Sequence, residues 1–134
     1  MILRSCPVDE LVGRMQNTAL LAGADPETLR LVAHVSRLLC LGSAEVLAQK
    51  GTVLPGFCLA LAGSLQWAET AAPLAWVHPG QTAAGAALPA DIAAGPQGAE
   101  CLYVALPAYL DLIETEPAWT VAMINAMQRG GTWR

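Results

Sequence analysis

Apolar positions repeat with a helical period at both ends of the chain and alternate between them. Over Pro7 to Gln16, Val8, Leu11, Val12 and Met15 fall on one face, with Asp9 and Glu10 near the positive end of the helix dipole, which predicts a short first helix. Asp25-Pro26 supplies an N-cap followed by proline at the first helical position. Glu27, Arg30, His34 and Arg37 then form a polar face opposite Leu29, Val32 and Ala33, the clearest helix in the sequence. From about Leu38 the period shortens to two. Leu38–Leu41, Val46–Ala48, Phe57–Leu61, Leu65–Trp67, Leu74–Val77 and Leu102–Leu106 read as short strands, and Gly42-Ser43, Gly51-Thr52, Pro55-Gly56, Gly63-Ser64 and Pro79-Gly80 punctuate them as hairpins require. Pro107 opens a helix towards Thr115, and Pro117 opens another through Trp119, Met123, Ala126 and Met127 that stops at Gly130-Gly131. The expected fold is α+β, mainly β: a compact antiparallel barrel or roll flanked by helices. It is expected as one domain over 1–134, with N-terminal helices in 1–36, the roll in 37–106 and C-terminal helices in 107–129.

Composition narrows what such a domain does. A hydrophobic share of 54% against 13% charged residues in 134 excludes disorder and predicts a small, alanine-rich apolar surface. Seven Lys and Arg against 11 Asp and Glu give a net charge of −4, and no Lys or Arg lies between Lys50 and Arg129. Nucleic-acid binding depends on clustered cations that replace phosphate counterions, so none is expected from this chain alone. The most hydrophobic uncharged stretch, Thr70 to Ala90, is broken by Pro73, His78, Pro79, Gly80, Gln81 and Pro89 and cannot be a spanning helix. With no apolar core of signal-peptide length near Arg4, Asp9 and Glu10, a cytoplasmic protein without a membrane partner is expected.

Little in the chain points to catalysis or to metal. Cys6, Cys40, Cys58 and Cys101 contain no Cys-x-x-Cys pair and read as structural thiols, with Cys58 and Cys101 inside strand-like runs. A cupin-type metal site needs two or three converging histidines with a carboxylate. Here His34 lies on a solvated helix face, and His78 reads as packing before Pro79. Ser5, Ser36, Ser43 and Ser64 lack a Gly-x-Ser-x-Gly turn, and Asp111, Glu114 and Glu116 read as a solvated face, so no catalytic residue and no metal are assigned. Trp67 and Trp76 are expected in the roll interior, as core or as the lining of a small apolar site.

Particular motifs carry more. Leu20-Leu21 precedes the capped helix Asp25-Pro26-Glu27-Thr28-Leu29, and Glu45-Val46-Leu47-Ala48-Gln49-Lys50-Gly51 sets an apolar pair before a Gln-x-Gly turn. Phe57 to Leu61 leads into Gly63-Ser64-Leu65, then Pro79-Gly80-Gln81, and finally Leu106-Pro107 to Pro117. In this order and spacing the motifs resemble the cyclic nucleotide-binding domain of the Crp-Fnr transcription regulators, over residues 20–128. The resemblance implies a double-stranded β-helix, or jelly roll, flanked by N- and C-terminal helices. It also implies a regulatory role in which ligand repositions a cassette and the C-terminal helix.

Family members hold the nucleotide with a Gly-Glu-x-x-x segment followed by Arg-Ser-Ala or Arg-Thr-Ala, glutamate taking the ribose hydroxyl and arginine the cyclic phosphate. Here the segment runs Ala83-Ala84-Gly85-Ala86-Ala87-Leu88-Pro89-Ala90-Asp91-Ile92-Ala93-Ala94. The glutamate position falls on Ala86, or on Gly85 one residue out of register, and the arginine position near Asp91. A buried phosphate needs a charge-assisted donor, and from Gly51 to Gln128 only His78 offers a positive charge, although backbone amides of a Gly-Ala-Ala turn remain as an anion nest. The expectation is therefore a non-enzymatic sensor domain with a degenerate cassette and no cofactor. Cyclic nucleotide is not held in the family's way, and haem, whose axial ligand would be His78 or a cysteine, has no other support. The candidate ligand residues are Gly85, Ala86, Ala87, Leu88, Asp91 and Ile92, a lining suited to a small neutral or apolar molecule. The alternatives are a true cyclic-nucleotide effector domain and a structural module with no small ligand, an interior closed by side chains favouring the last. Family regulators continue into a long dimerisation helix and a helix-turn-helix. With the helix stopping at Gly130, these residues hold no recognition helix, leaving a domain of a longer regulator or a small protein that does not bind DNA. Trp119, Met123 and Met127, beside Val121 and Ile124, suit either a homodimer through this helix or core packing.

Overall fold

The computed structural model describes residues 1–79 and 87–128. Its elements run β1 (Ile2–Arg4), α1 (Val8–Gln16), α2 (Pro26–His34), β2 (Arg37–Leu41), β3 (Val46–Ala48), β4 (Gly56–Trp67), β5 (Pro73–Leu74), β6 (Trp76–Val77), β7 (Ile92–Ala105), α3 (Leu106–Thr115) and α4 (Pro117–Gln128). The described strands pair antiparallel in the order β1-β2-β7-β4-β5, with β3 added to β7 and β6 to β4. This is the α+β, mainly β roll flanked by helices that the period changes predict.

Alternation along the two long strands divides the apolar residues between two cores. Phe57 and Leu59 of β4, with Leu102 and Val104 of β7, point towards the helices, where they meet Leu11 and Met15 of α1, Leu29 and Val32 of α2, and Tyr109, Leu112, Trp119 and Met123 of α3 and α4. Cys58 and Leu65 of β4, with Ala99 and Cys101 of β7, point the other way, into the roll, beside Leu39, Leu41, Leu47, Leu54, Leu74 and Val77. The helices that supply the first core form where the sequence calls for them. The Asp25 carboxylate accepts the Thr28 N–H at 3.3 Å as the N-cap of α2, and Pro26 and Pro107 occupy first-turn positions where no N–H is needed.

Several boundaries differ from the sequence reading. Gly63-Ser64 is not a hairpin: β4 passes through it without a break, so the two strands expected at Phe57–Leu61 and Leu65–Trp67 are one. Gly63 holds φ +70°, and a Cβ there would lie 2.2 Å from the Gly98 carbonyl oxygen, so only glycine lets β4 and β7 cross this closely. The final strand is far longer than Leu102–Leu106. It starts at Ile92 and runs through Gly95, Pro96 and Gly98, because Ala94 pairs with Leu65 and Ala99 with Gly63, leaving 95–98 to bulge opposite Ser64. Leu106 belongs to α3, Arg37 opens β2 rather than closing α2, and Leu74–Val77 is split at Ala75 into β5 and β6. The edge strand β1, three residues with Ile2 and Leu3 exposed, has no signature strong enough to announce it.

Candidate functional site

The segment expected to hold ligand enters the described structure at Ala87; Gly85 and Ala86 lie outside the described residues, as do Gly80 and Gln81 of the Pro-Gly-Gln turn. Ala87 is exposed, and Leu88 turns inward. The Leu88 N–H donates to the Thr52 carbonyl and the Gly51 N–H to the Leu88 carbonyl, both at 2.9 Å, which stitches this segment to the turn after β3. Leu88 is 2% exposed and Ile92 fully buried, and both belong to the roll core with Leu47, Leu54 and Cys101.

Asp91, expected near the arginine position of the resembled family, is spent on the chain's own backbone. Its carboxylate accepts the Lys50 N–H at 2.6 Å and its carbonyl accepts the Ala68 N–H at 3.0 Å, tying the start of β7 to the turns after β3 and β4. The cation expected to be available in this half of the chain is also spoken for. His78 is buried among Phe57, Trp76 and Tyr109, its ring edge-on to Trp76 at 5.9 Å and to Tyr109 at 5.0 Å, and its Nε2 shares a hydrogen bond with the Tyr109 hydroxyl. Burial lowers the His78 pKa to about 4, so the ring is neutral at physiological pH and offers no positive charge. Burial likewise raises the Tyr109 phenol. The Trp119 indole N–H lies near enough to the phenol to temper that rise but makes no hydrogen bond of good geometry. Phe57 stacks on Tyr109 at 5.5 Å and meets Trp119 edge-on at 5.5 Å, so this cluster clamps β4, β6, α3 and α4 together.

Other candidates fall into place by burial. Trp119 and Met123, offered as dimer contacts, are each 1% exposed and packed in the helix-side core, so these two side chains serve this chain's own interior. The outward stripe of α4 is carried instead by Val121 and Ile124, 56% and 45% exposed; the Met127 side chain lies outside the described residues. Trp76 faces the helices and not the roll interior, while Trp67 is half-buried against the roll core. All four cysteines are free thiols. Cys58 and Cys101 are fully buried, and burial, the larger cause in both, pushes Cys101 up to about 12 and Cys58 well up, so both stay protonated and structural. His34 is exposed. Among the described residues no group of three or more His, Cys, Asp or Glu is placed to hold a metal ion, and no helix is long and apolar enough to cross a membrane.

A different concavity was not signalled by any motif. A cleft of about 660 Å³ lies between the α1–α2 connection and the strands β4, β5 and β6, with Asn17, Thr18 and Leu20 on one wall and Leu61, Leu74 and Trp76 on the other. It exists because of a register mismatch. Leu59 pairs with Trp76 and Leu65 with Leu74, so Ala60 to Ser64 of β4 face Ala75 alone.

The architecture has clear counterparts among solved structures. The chain superposes on a cAMP-bound PfPKA-R with a TM-score of 0.64 at 14% identity, over 90% of this chain and 44% of that one. It superposes on the catabolite activator protein of Thermus thermophilus with 0.64 at 18% identity, over 84% of this chain and 57% of that one. The sensor domain of the transcriptional regulator DNR from Pseudomonas aeruginosa gives 0.61 at 12% identity, over 91% and 89%. This is the cyclic nucleotide-binding fold. No family model and no curated protein matches the sequence, and the chain spans about half the length or less of the first two structures.

Proposed function

We propose that the chain is a non-enzymatic regulatory domain of Crp-Fnr type, cytoplasmic, that keeps the cyclic nucleotide-binding fold without holding cyclic nucleotide in the usual way. The observation that carries this reading is the lack of a usable cation. No Lys or Arg occurs from Gly51 to Gln128, and the histidine in that stretch, His78, is buried, neutral and hydrogen-bonded to Tyr109. A cyclic phosphate desolvated inside the roll would find no Lys or Arg of this stretch as a charge-assisted partner, a loss that neutral contacts do not recover. Asp91 adds a negative charge at the arginine position, and Leu88 and Ile92 occupy space inside the roll.

Thermal unfolding with and without saturating cyclic AMP and cyclic GMP tests the reading. A ligand at 100 times its dissociation constant stabilises by about 2.7 kcal/mol, several degrees for a domain of this size. No shift with either nucleotide is expected; a shift with one would restore a true second-messenger effector domain. The burial of Leu88 and Ile92 in the roll core also supports a second reading, a module that associates through its surface, with the exposed Val121 and Ile124 of α4 as the contact for a second copy. On that reading the chain is dimeric and Ile124→Glu makes it monomeric in light scattering.

A further inference from the structure

A cleft against β4, β5 and β6 has a chemistry that specifies an occupant. We propose that the cleft between the α1–α2 connection and the mismatched edge of β4 binds a small, uncharged, largely apolar molecule with one hydrogen-bonding group. The inference deepens the regulatory reading by moving its ligand site out of the cassette.

Three observations support it. At about 660 Å³ the cleft falls within the volume range of small-molecule sites. Its lining holds no ionisable side chain, so a charged ligand would lose hydration without compensation and a neutral one would not. Its accessible lining is apolar, with half-buried Leu20 and Leu61 and exposed Pro73 and Ala75 over the buried Leu59 and Trp76, and its rim is polar, with the exposed Asn17 amide and the Thr18 hydroxyl, which donates to the Met15 carbonyl at 2.7 Å and keeps its acceptor lone pairs. The rim matches a single amide, carbonyl or hydroxyl on the ligand. The space is built in: β4 carries five residues, Ala60 to Ser64, opposite Ala75, and Gly63 cannot become larger without striking Gly98.

The same place is wired to the C-terminal helices. Trp76 forms part of the cleft wall and meets His78 edge-on at 5.9 Å, and His78 is hydrogen-bonded to Tyr109 of α3, which stacks on Phe57. A molecule in the cleft, seated over the strand that carries the buried Trp76, is therefore close to a chain of contacts that ends on α3, the helix that leads into α4.

The test is a titration of the chain with N-phenyl-1-naphthylamine, an uncharged fluorescent probe, alongside its sulfonated analogue 1-anilinonaphthalene-8-sulfonate. The expected result is saturable one-to-one binding of the uncharged probe, at least tenfold tighter than the sulfonate. Energy transfer from tryptophan to the bound probe should fall in Trp76→Phe. Ala75→Leu and Ala19→Leu, both exposed positions on opposite walls, should each weaken binding at least tenfold while leaving the melting temperature unchanged; Ala87→Leu, beside the cassette, should leave binding as it is. Non-saturable binding, equal affinity for the sulfonate, or full affinity in both wall variants would overturn the proposal. Nucleotide-dependent unfolding reports on the cassette and not on this cleft, so the two readings fail separately.

Discussion

Replacing His78 by glutamine should flatten the acid side of the protein's stability profile. In the folded chain the imidazole is buried against Phe57, Trp76 and Tyr109 with its pKa lowered to about 4, whereas in the unfolded chain it titrates at about 6.5. The unfolded state thus binds a proton that the folded state refuses. Stability from this residue is complete above pH 6.5, falls as pH drops from 6.5 to 4, and levels off below the folded pKa. Integrating the difference gives a loss of about 2 kcal/mol at pH 5 and about 3 kcal/mol at pH 4 relative to pH 8. Glutamine places an amide where Nε2 meets the Tyr109 hydroxyl and has no proton to gain in this range. Urea unfolding at half-unit steps from pH 8 to pH 4 checks the prediction, with wild type and His78→Gln sharing the carboxylate titrations so that their difference isolates the histidine. Parallel profiles for the two proteins would refute the reasoning, as would a His78 ring titrating near 6.5 in the folded protein by NMR.

Two further substitutions probe the roll. Gly63→Ala should destabilise by at least about 2 kcal/mol in chemical unfolding, because φ +70° strains any L side chain and the new methyl would meet the Gly98 carbonyl oxygen; wild-type stability would mean that β4 and β7 do not cross closely here. Leu88→Ala should cost about 2 to 5 kcal/mol, the loss expected for emptying a filled core position, and a cost below about 1 kcal/mol would indicate that the roll beneath the cassette is open.

What the sequence discloses here follows the range of the interactions involved. The cap of α2 is written in four consecutive residues, Asp25 to Thr28, and β2 and β3 in short apolar runs between turn residues, so these elements are legible. The first half of β7 is not. Ala93-Ala94-Gly95-Pro96-Gln97-Gly98 has the composition of a loop and joins a strand only because β3 and β4 supply partners on both sides of its start. Gly63-Ser64 carries the chemistry of a turn yet serves as a bulge, a choice settled by the approach of Gly98. At the site, the lack of any Lys or Arg from Gly51 to Gln128 can be read directly, since an absent residue type needs no coordinates. The destinations of Asp91 and His78 cannot: one is committed to the Lys50 amide and the other to Tyr109, both far along the chain. The cleft is less legible still, because a register mismatch is a property of three strands together and of no motif.

The position of β7 has a consequence for synthesis. β2, β3 and β4 all pair with it, Leu39 waiting for Cys101 and Phe57 for Val104, so three of the six ladders among the described strands, the longest included, are closed by the last of these strands to be translated. A nascent chain that has emerged only as far as Trp67 carries the apolar faces of β2 and β4 with their central partner still inside the ribosome. Such non-local closure makes folding slow and late, and it assigns the hazardous interval to the time before Ala105 clears the exit tunnel. Low charge in the intervening stretch leaves few gatekeepers against pairing between neighbouring nascent chains, so a holdase that covers strand edges has its natural moment here, before the helices of the C-terminal end dock and seal the sheet.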